Sequence, residues 1–179
     1  VSLDEVYAGV TRRISIDSGV SGPRNLEVQI PRGVLHGRKI KLRPDDDTEV
    51  ILTVNVRSDG RFSRKGANLL TDVTVNLLDA ILGCEVEVPT LTGRVALQVP
   101  TGTQNGRSFK IKGKGLPKGG SEQFGDLYAT INVRLPEFLS DEERQLYMQL
   151  RDIRAVVTGD RFAGANECNA DNVGGDNFT

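Results

Sequence analysis

Leu26-Glu-Val-Gln-Ile-Pro-Arg-Gly33 is followed, later in the chain, by the closely similar Val95-Ala-Leu-Gln-Val-Pro-Thr-Gly102. In both stretches apolar and polar residues alternate up to a proline, which is the period-two pattern of a half-buried β-strand. Proline lacks a backbone donor and ends the strand, and the glycine that follows favours a turn. A second alternating stretch comes after each turn, at residues 37–42 and 106–111. The chain therefore encodes a strand–turn–strand unit twice.

The repeat extends on both sides of this unit. Three further pairs of segments match in the same order: residues 1–9 with 75–83, 11–16 with 84–88, and 53–57 with 130–134. The first pair is helix-like and ends at glycine, whereas the other two pairs alternate as strands do. A repeated supersecondary unit indicates repeated domains. We therefore predict a mainly β fold with two tandem, similar, β-sandwich-like domains, at residues 1–70 and 71–138.

Short helices accompany the strands. Each copy of the first segment begins with a capping residue, Ser2 or Asn76, and Ser2 with Glu5 has the spacing of a capping box. Ser140 begins another capping box, and the apolar residues after it predict a helix to about Ile153, within a C-terminal segment at residues 139–157. Residues 158–179 are rich in Gly, Asn and Asp, which is typical of a loose tail, and we assign that tail no function.

Composition limits the function. The 23 basic and 24 acidic residues nearly cancel, so we expect neither a nucleic-acid partner nor a membrane partner. Cys84 and Cys168 are far apart and His36 is the single histidine, which is too few ligands for a zinc site, so no metal and no cofactor is expected. Two lone thiols and the lack of a long apolar run indicate an intracellular protein. Because the chain starts at Val1, we expect it to be part of a longer protein.

Four stretches carry a family resemblance. They are Leu82-Gly-Cys-Glu-Val-Glu-Val-Pro-Thr-Leu-Thr-Gly93, Val99-Pro-Thr-Gly-Thr-Gln-Asn-Gly106, Lys112-Gly-Lys-Gly-Leu-Pro117 and Gly125-Asp-Leu-Tyr128. In order and spacing they resemble the C-terminal region of DnaJ-type co-chaperones, which has two β-domains in tandem. The resemblance implies a non-enzymatic module that binds unfolded polypeptide clients and delivers them to a DnaK-type heat-shock chaperone. It also implies a homodimer formed through the C-terminal segment.

The chain departs from the family pattern in three places. The J-domain with its His-Pro-Asp motif is absent, so this chain alone is not expected to stimulate ATP hydrolysis. Residues 17–23 stand where many members carry a zinc-binding insertion, which indicates the zinc-free class or a removed insertion. Residues 43–48 form a shortened loop that resembles the mitochondrial branch, so the cytoplasm and the mitochondrial matrix both stay open as locations.

The resemblance also implies a client site. A client strand is expected to add to residues 12–16, while an apolar client side chain enters a pocket lined by Ile14, Ile16, Leu26, Val28 and Phe62. Periodicity alone favours ordinary strand core over a groove for these residues, and the resemblance reverses that preference only for the first domain. Arg12 and Arg13 are expected either to meet the acidic C-terminal tail of the partner chaperone or to form a solvated strand face.

Other functional classes have weaker support. A tandem β-sandwich adhesion or carbohydrate-binding module is the alternative, although the chain has no Trp for stacking on sugars. A hydrolase would have to use His36, which we expect to be an exposed turn residue. The glycine- and lysine-rich residues 112–120 predict a loop, since the spacing of a phosphate-binding motif is missing, and residues 45–47 predict a solvated turn and no calcium site.

Overall fold

A computed structural model describes residues 1–17, 23–45, 48–119 and 122–158. The described part of the chain is mainly β, as predicted. The helices α1, α2 and α3 span Leu3–Ala8, Leu77–Leu82 and Asp141–Thr158. The strands β1 to β10 span Val10–Asp17, Pro23–Ile30, Arg38–Asp45, Thr48–Val54, Ser63–Lys65, Asn68–Asn76, Cys84–Thr90, Gly93–Val99, Ser108–Ile111 and Leu127–Arg134.

The repeat seen in the sequence is confirmed by the strand register. In the first repeat, residues 1–57, β1 pairs antiparallel with β2, and Ile14 lies opposite Leu26. In the second repeat, residues 75–134, β7 pairs antiparallel with β8, and the corresponding Val88 lies opposite Val95. The register matters because side chains alternate between the two faces of a strand, so both hairpins turn the same apolar positions to one face.

The two repeats differ in the sheet that follows the hairpin. In the second repeat, β10 lies between β9 and β6 in a four-stranded sheet, and its pairing with β6 is parallel. In the first repeat, β4 pairs antiparallel with β3. Beside β4 the nitrogen of Val1 donates to the Asn55 carbonyl at 2.8 Å, and the Arg57 N–H donates to the Val1 carbonyl at 2.8 Å. These two bonds form a single parallel bridge where the second repeat has a full strand pair.

This difference explains one deviation from the sequence-based expectation. Residues 53–57 were expected to be a strand like residues 130–134, yet β4 ends at Val54 whereas β10 continues to Arg134. Strand β10 has a partner on both sides, and β4 has a partner strand on one side among the described residues. With fewer ladder hydrogen bonds, residues 55–57 leave the strand conformation.

A single hydrophobic core draws on both repeats. Its fully buried members include Val6 and Val28 of the first repeat and Val88 and Ile131 of the second. The segment at residues 112–119 closes against the turn between β5 and β6, because the Leu116 N–H donates to the Ala67 carbonyl at 2.8 Å, and Pro117 packs on Gly33 of the first repeat. The compact unit formed in this way is Val1–Leu135. The boundary predicted at residue 70 falls inside β6, and the division into domains at residues 1–70 and 71–138 stays a prediction.

The short helices differ in how they begin. In α1 the Ser2 hydroxyl accepts a hydrogen bond from the Glu5 N–H at 3.2 Å, and the Ser2 N–H donates to Glu5 at 2.9 Å, which completes the predicted capping box. The equivalent Asn76 makes no side-chain cap hydrogen bond to α2. Its amide instead donates to the Asp79 carboxylate at 3.3 Å, so Asn76 is the N-cap residue of α2 as expected but forms no cap hydrogen bond through its side chain.

The second compact unit is Pro136–Thr179, of which residues 136–158 are described. The predicted capping box at Ser140 is present, since the Glu143 N–H donates to the Ser140 hydroxyl at 3.2 Å. Helix α3 continues to Thr158, beyond the end expected near Ile153. None of the helices in the described residues is long and apolar enough to span a membrane. The loop at 18–22, the acidic turn at 46–47 and the tail at 159–179, with Cys168, lie outside the described residues.

Candidate peptide-binding groove

A groove of about 400 Å³ lies between the β1–β2 hairpin and the β3–β4 pair. The apolar side chains along it include Ile14, Val28, Ile30, Ile40, Leu52 and Val54. Each of them belongs to an alternating stretch, so the same alternation that buries part of a strand also aims these side chains at the groove. The groove is open, apolar and bordered by strand backbone.

The β1–β2 hairpin supplies one wall of the groove. Arg12 lies opposite Val28 and Ile14 lies opposite Leu26, so these four side chains share one face of the hairpin. On the other face Arg13 lies opposite Glu27, with 2.7 Å between their charged groups. The face that carries Ile14 and Val28 therefore lines the groove, and Arg12 and Arg13 also border it. Among the described residues β1 has a partner strand on one edge, and its second edge has none.

The corresponding position in the second repeat is more deeply covered. There Val88, the counterpart of Ile14, is completely buried, whereas Ile14 is only half-buried. Strand β6 lies beside β10 at the place that corresponds to the open side of β4, and its Val73 and Val75 are buried. Strand β10 thus has a full partner strand on the side where β4 has only the single bridge to Val1.

The predicted site residues are not all brought together. Ile14 and Val28 line the groove, and Val28 is nearly fully buried at its base. Leu26 is half-buried on the same face, opposite Ile14. Phe62 is 3% exposed and lines two other cavities, so it packs as core away from this groove. The side chain of Ile16 lies outside the described part of the chain.

Sequence reasoning missed the opposite wall. Ile40, Leu52 and Val54 line the groove from β3 and β4, together with Ile30 from β2. The alternation in residues 38–42 and 50–54 marks them as inward-facing. Which groove they face depends on the packing of one hairpin against the other, and no local pattern carries that information.

The two predicted arginines border the groove but already have partners. Arg12 pairs with Glu5 at 2.5 Å, and Arg13 pairs with Glu27 at 2.7 Å. The Ser2 N–H, and after it Arg12, hold the pKa of the Glu5 carboxyl below its ordinary range. Both guanidinium groups remain largely exposed, so these pairs are surface pairs that an incoming carboxylate can exchange.

The other reactive side chains have structural roles. His36 is exposed, and its Nδ1 accepts a hydrogen bond from the Val56 N–H at 3.1 Å. Cys84 packs against the core, and burial, followed by the charge of Asp79, raises the pKa of its thiol. No group of three metal-ligating side chains occurs within the described residues.

Comparison with known proteins identifies the family. The model of the DnaJ C terminal domain matches residues 1–136, which is well over half of the chain. This chain belongs to the DnaJ C-terminal domain family. A protein named Chaperone protein DnaJ from Deinococcus proteolyticus is 40% identical over 156 residues, which are 86% of this chain and 48% of that protein.

Two further DnaJ relatives agree with this assignment. Chaperone protein DnaJ 2 from Cutibacterium acnes is 38% identical over 138 residues, covering 72% of this chain and 36% of that protein. Chaperone protein DnaJ from Oleidesulfovibrio alaskensis is 38% identical over 131 residues, covering 69% of this chain and 35% of that protein. The chain thus spans about half or less of the curated relatives it matches. The match to a chaperone family favours the co-chaperone interpretation over the adhesion or carbohydrate-binding alternative.

Proposed function

We propose that this chain is the part of a DnaJ-type co-chaperone that holds non-native polypeptides and passes them to a DnaK-type heat-shock chaperone. The observation that carries the proposal is the open apolar groove beside Ile14 in the first repeat. Unfolded polypeptides differ from folded proteins because they expose apolar side chains and unpaired backbone groups together. A receptor for them needs an apolar groove next to a free strand edge.

The free edge of β1 supplies the second element. A client segment in extended form would add to residues 12–16 and donate and accept main-chain hydrogen bonds, which do not depend on client sequence. A client side chain such as leucine would then reach the apolar lining beside Ile14 and Val28. In this arrangement the backbone supplies affinity for any extended segment, and the lining selects apolar side chains.

Arg12 and Arg13 suit a contact with an acidic segment of the partner chaperone. Each is exposed and is held by one carboxylate, Glu5 or Glu27. Guanidinium groups bind carboxylates through paired hydrogen bonds, so an acidic tail would replace the internal partners and release Glu5 and Glu27 to water. Because Arg12 shares the apolar face with Ile14, a tail bound there would compete with a client.

A homodimer through α3 is the second part of the proposal. Leu146, Leu150 and Ile153 are exposed and follow the spacing of one helix face. An exposed apolar stripe on a helix is unfavourable in water and is stabilised when a second copy covers it. We propose the same helix of a second chain as its partner. The three relatives are bacterial proteins, which favours the cytoplasm over the mitochondrial matrix as the location.

The proposal is tested by suppression of aggregation of a heat-unfolded model protein. We expect the chain to protect the model protein. We expect Ile14→Asp to abolish protection, because a bound apolar client side chain would remove the new carboxylate from water without a partner, which costs free energy. The matched control is Ser15→Asp, since Ser15 is exposed on the opposite face of β1 and receives the same charge.

A folding check accompanies each variant. If Ile14→Asp fails to fold, Ile14→Thr keeps the β-branched shape, adds a hydroxyl and serves in its place. Protection by the folded Ile14 variant equal to that by Ser15→Asp would overturn the assignment of the groove as the client site.

A further inference from the structure

A second cleft, of about 320 Å³, lies outside the peptide-binding groove and is lined by residues 31–38 of the first repeat, by β5 and the turn after it, and by residues 117–119. All the charged side chains that line it are cationic: Arg32, Arg38, Arg64 and Lys118. The other lining residues are uncharged, and several are apolar: Pro31, Gly33, Val34, Leu35, Ala67, Pro117 and Gly119. The chain as a whole has a net charge of −1, so a cleft whose charged lining residues are all cationic departs from the average surface.

The base of the cleft is rigid. Gly33 packs so closely on residues 117–119 that an added Cβ would lie 2.2 Å from the Pro117 carbonyl oxygen. The Gly33 N–H donates to the Val6 carbonyl at 2.8 Å, which fixes the turn to α1. Val34 and Pro117 are buried. A ligand at this position would meet a preformed surface and would not have to order a loop, which lowers the entropic cost of binding.

The cations in the cleft are held by carbonyls and by an aromatic ring. Arg64 donates to the Val34 carbonyl at 2.9 Å and to the Gly66 carbonyl at 2.8 Å. The Arg32 Nε donates to the Tyr7 carbonyl at 3.2 Å, and its guanidinium lies 5.9 Å from the centre of the Phe124 ring. In the described part of the chain no carboxylate forms an ion pair with Arg32, Arg38 or Arg64.

These arginines are well placed to accept an anion. Burial lowers the pKa of Arg64 from its ordinary value, because the cation is partly removed from water without a counter-charge. Arg32 and Arg38 are exposed at the rim and keep most of their N–H donors available. A bound carboxylate would pair with these donors and would relieve the electrostatic cost of the buried cation.

The apolar part of the cleft distinguishes among anions. Leu35 is 57% exposed and lines the cleft beside the cationic rim, so an apolar side chain of a ligand held by the arginines would contact it. Inorganic phosphate or a nucleic-acid backbone would satisfy the arginines and leave Leu35 in water. A peptide with carboxylate and apolar side chains next to each other satisfies both.

We propose that this cleft binds an acidic peptide segment that carries apolar residues between its carboxylates. Arg32 and Arg38 pair with the carboxylates, and Leu35 contacts the apolar side chain. Arg64 holds the floor of the cleft through its two carbonyl contacts. The site is separate from the client groove and goes beyond the function proposed above.

The test uses the fluorescein-labelled peptides Glu-Leu-Glu-Leu-Glu and Gln-Leu-Gln-Leu-Gln and measures fluorescence anisotropy. The background is Arg12→Gln with Arg13→Gln, which removes the other arginines proposed to meet acidic segments. In that background we expect binding of the acidic peptide, and we expect Arg32→Gln with Arg38→Gln to weaken it about tenfold or more, as the loss of charge-assisted hydrogen bonds requires. Arg94→Gln is the matched control on an exposed strand, with an expected change below about twofold.

Three outcomes would overturn the proposal. The first is equal affinity for the glutamine peptide, and the second is equal weakening by Arg94→Gln and by the Arg32 and Arg38 changes. The third is displacement of the peptide by a short single-stranded oligonucleotide that binds more tightly than the peptide, which would assign the cleft to a phosphate backbone. If the chain failed to suppress aggregation but still bound the acidic peptide, only the proposal of the client groove would be overturned. The two proposals can therefore fail independently.

Discussion

Ile14 and Leu26 lie directly opposite each other across the β1–β2 hairpin, and both side chains are only half-buried. The same pair in the second repeat is Val88 and Val95, and there Val88 is completely buried. One hairpin therefore occurs twice with the same register and two different degrees of cover. Under the function proposed above, the second repeat supports the core and the first offers its less covered apolar surface to other molecules.

The helix caps predict different stabilities for equivalent substitutions. Ser2→Ala removes a cap hydrogen bond and is expected to lower the free energy of unfolding by about 1 kcal/mol. Asn76→Ala at the start of α2 is expected to cost less than about 0.5 kcal/mol, since Asn76 makes no cap hydrogen bond. Urea unfolding of both variants measures the difference. Equal losses would contradict the assignment of the caps.

Two glycines with similar backbone conformations separate steric contact from backbone strain. Gly33 and Gly37 have φ angles of 73° and 78°, so alanine costs about 1–2 kcal/mol at either position for the left-handed conformation alone. At Gly33 the new Cβ also meets the Pro117 carbonyl oxygen, and an additional cost of about 1–3 kcal/mol is expected. At Gly37 there is nothing within 4 Å. The melting temperature of Gly33→Ala should therefore be well below that of Gly37→Ala. The reverse order would contradict the packing of Pro117 on Gly33.

The capping box also predicts a dependence of stability on pH. The pKa of Glu5 is lowered in the folded chain by the Ser2 N–H and then by Arg12, so the unfolded chain binds the proton first as pH falls. The contribution of the Glu5 charge is therefore present above its unfolded pKa of about 4.3 and is lost as pH falls through the folded pKa. Melting temperatures of wild type and Glu5→Gln should differ at pH 6 and converge near pH 3. A difference that is the same at both pH values would contradict this role of Glu5.

The apolar face of α3 predicts the oligomeric state. Leu146→Arg places a charge in the proposed dimer contact and is expected to shift the sedimentation coefficient from dimer to monomer. Ala155→Arg is the control, because nine residues at about 100° per residue put Ala155 on the opposite side of the helix. Analytical ultracentrifugation over a range of concentrations measures the equilibrium. A wild-type chain that stays monomeric at every concentration would contradict the proposal that α3 forms a homodimer contact.

The repeat, the hairpins and the starts of α1 and α3 were predictable because their signals are local. Alternation, prolines and paired glycines define β1, β2, β7 and β8, and the predicted capping boxes at Ser2 and Ser140 are present. The parallel pairing of β6 with β10 was not predictable in this way, since it joins strands that are far apart in the sequence. Neither strand carries a local mark of its partner.

The same limit explains the partial success at the groove. Ile14 and Val28 were predicted to line it, and alternation alone places them on one face of the hairpin. Phe62 is apolar and buried in the same way, but the fold turns it toward other cavities. The wall formed by Ile40 and Leu52 depends on how two hairpins pack. A sequence pattern distinguishes inside from outside and does not distinguish one apolar cluster from another.

The most direct measurement of the central claim is amide hydrogen exchange with and without an extended, apolar client peptide. The account predicts slower exchange in β1, at residues 10–17, when the peptide is bound, because the client pairs with its free edge. The equivalent strand β7, at residues 84–90, serves as the internal control and should not change. Protection confined to β7, or binding without any protection of β1, would contradict the claim that the first repeat holds the client by adding a strand.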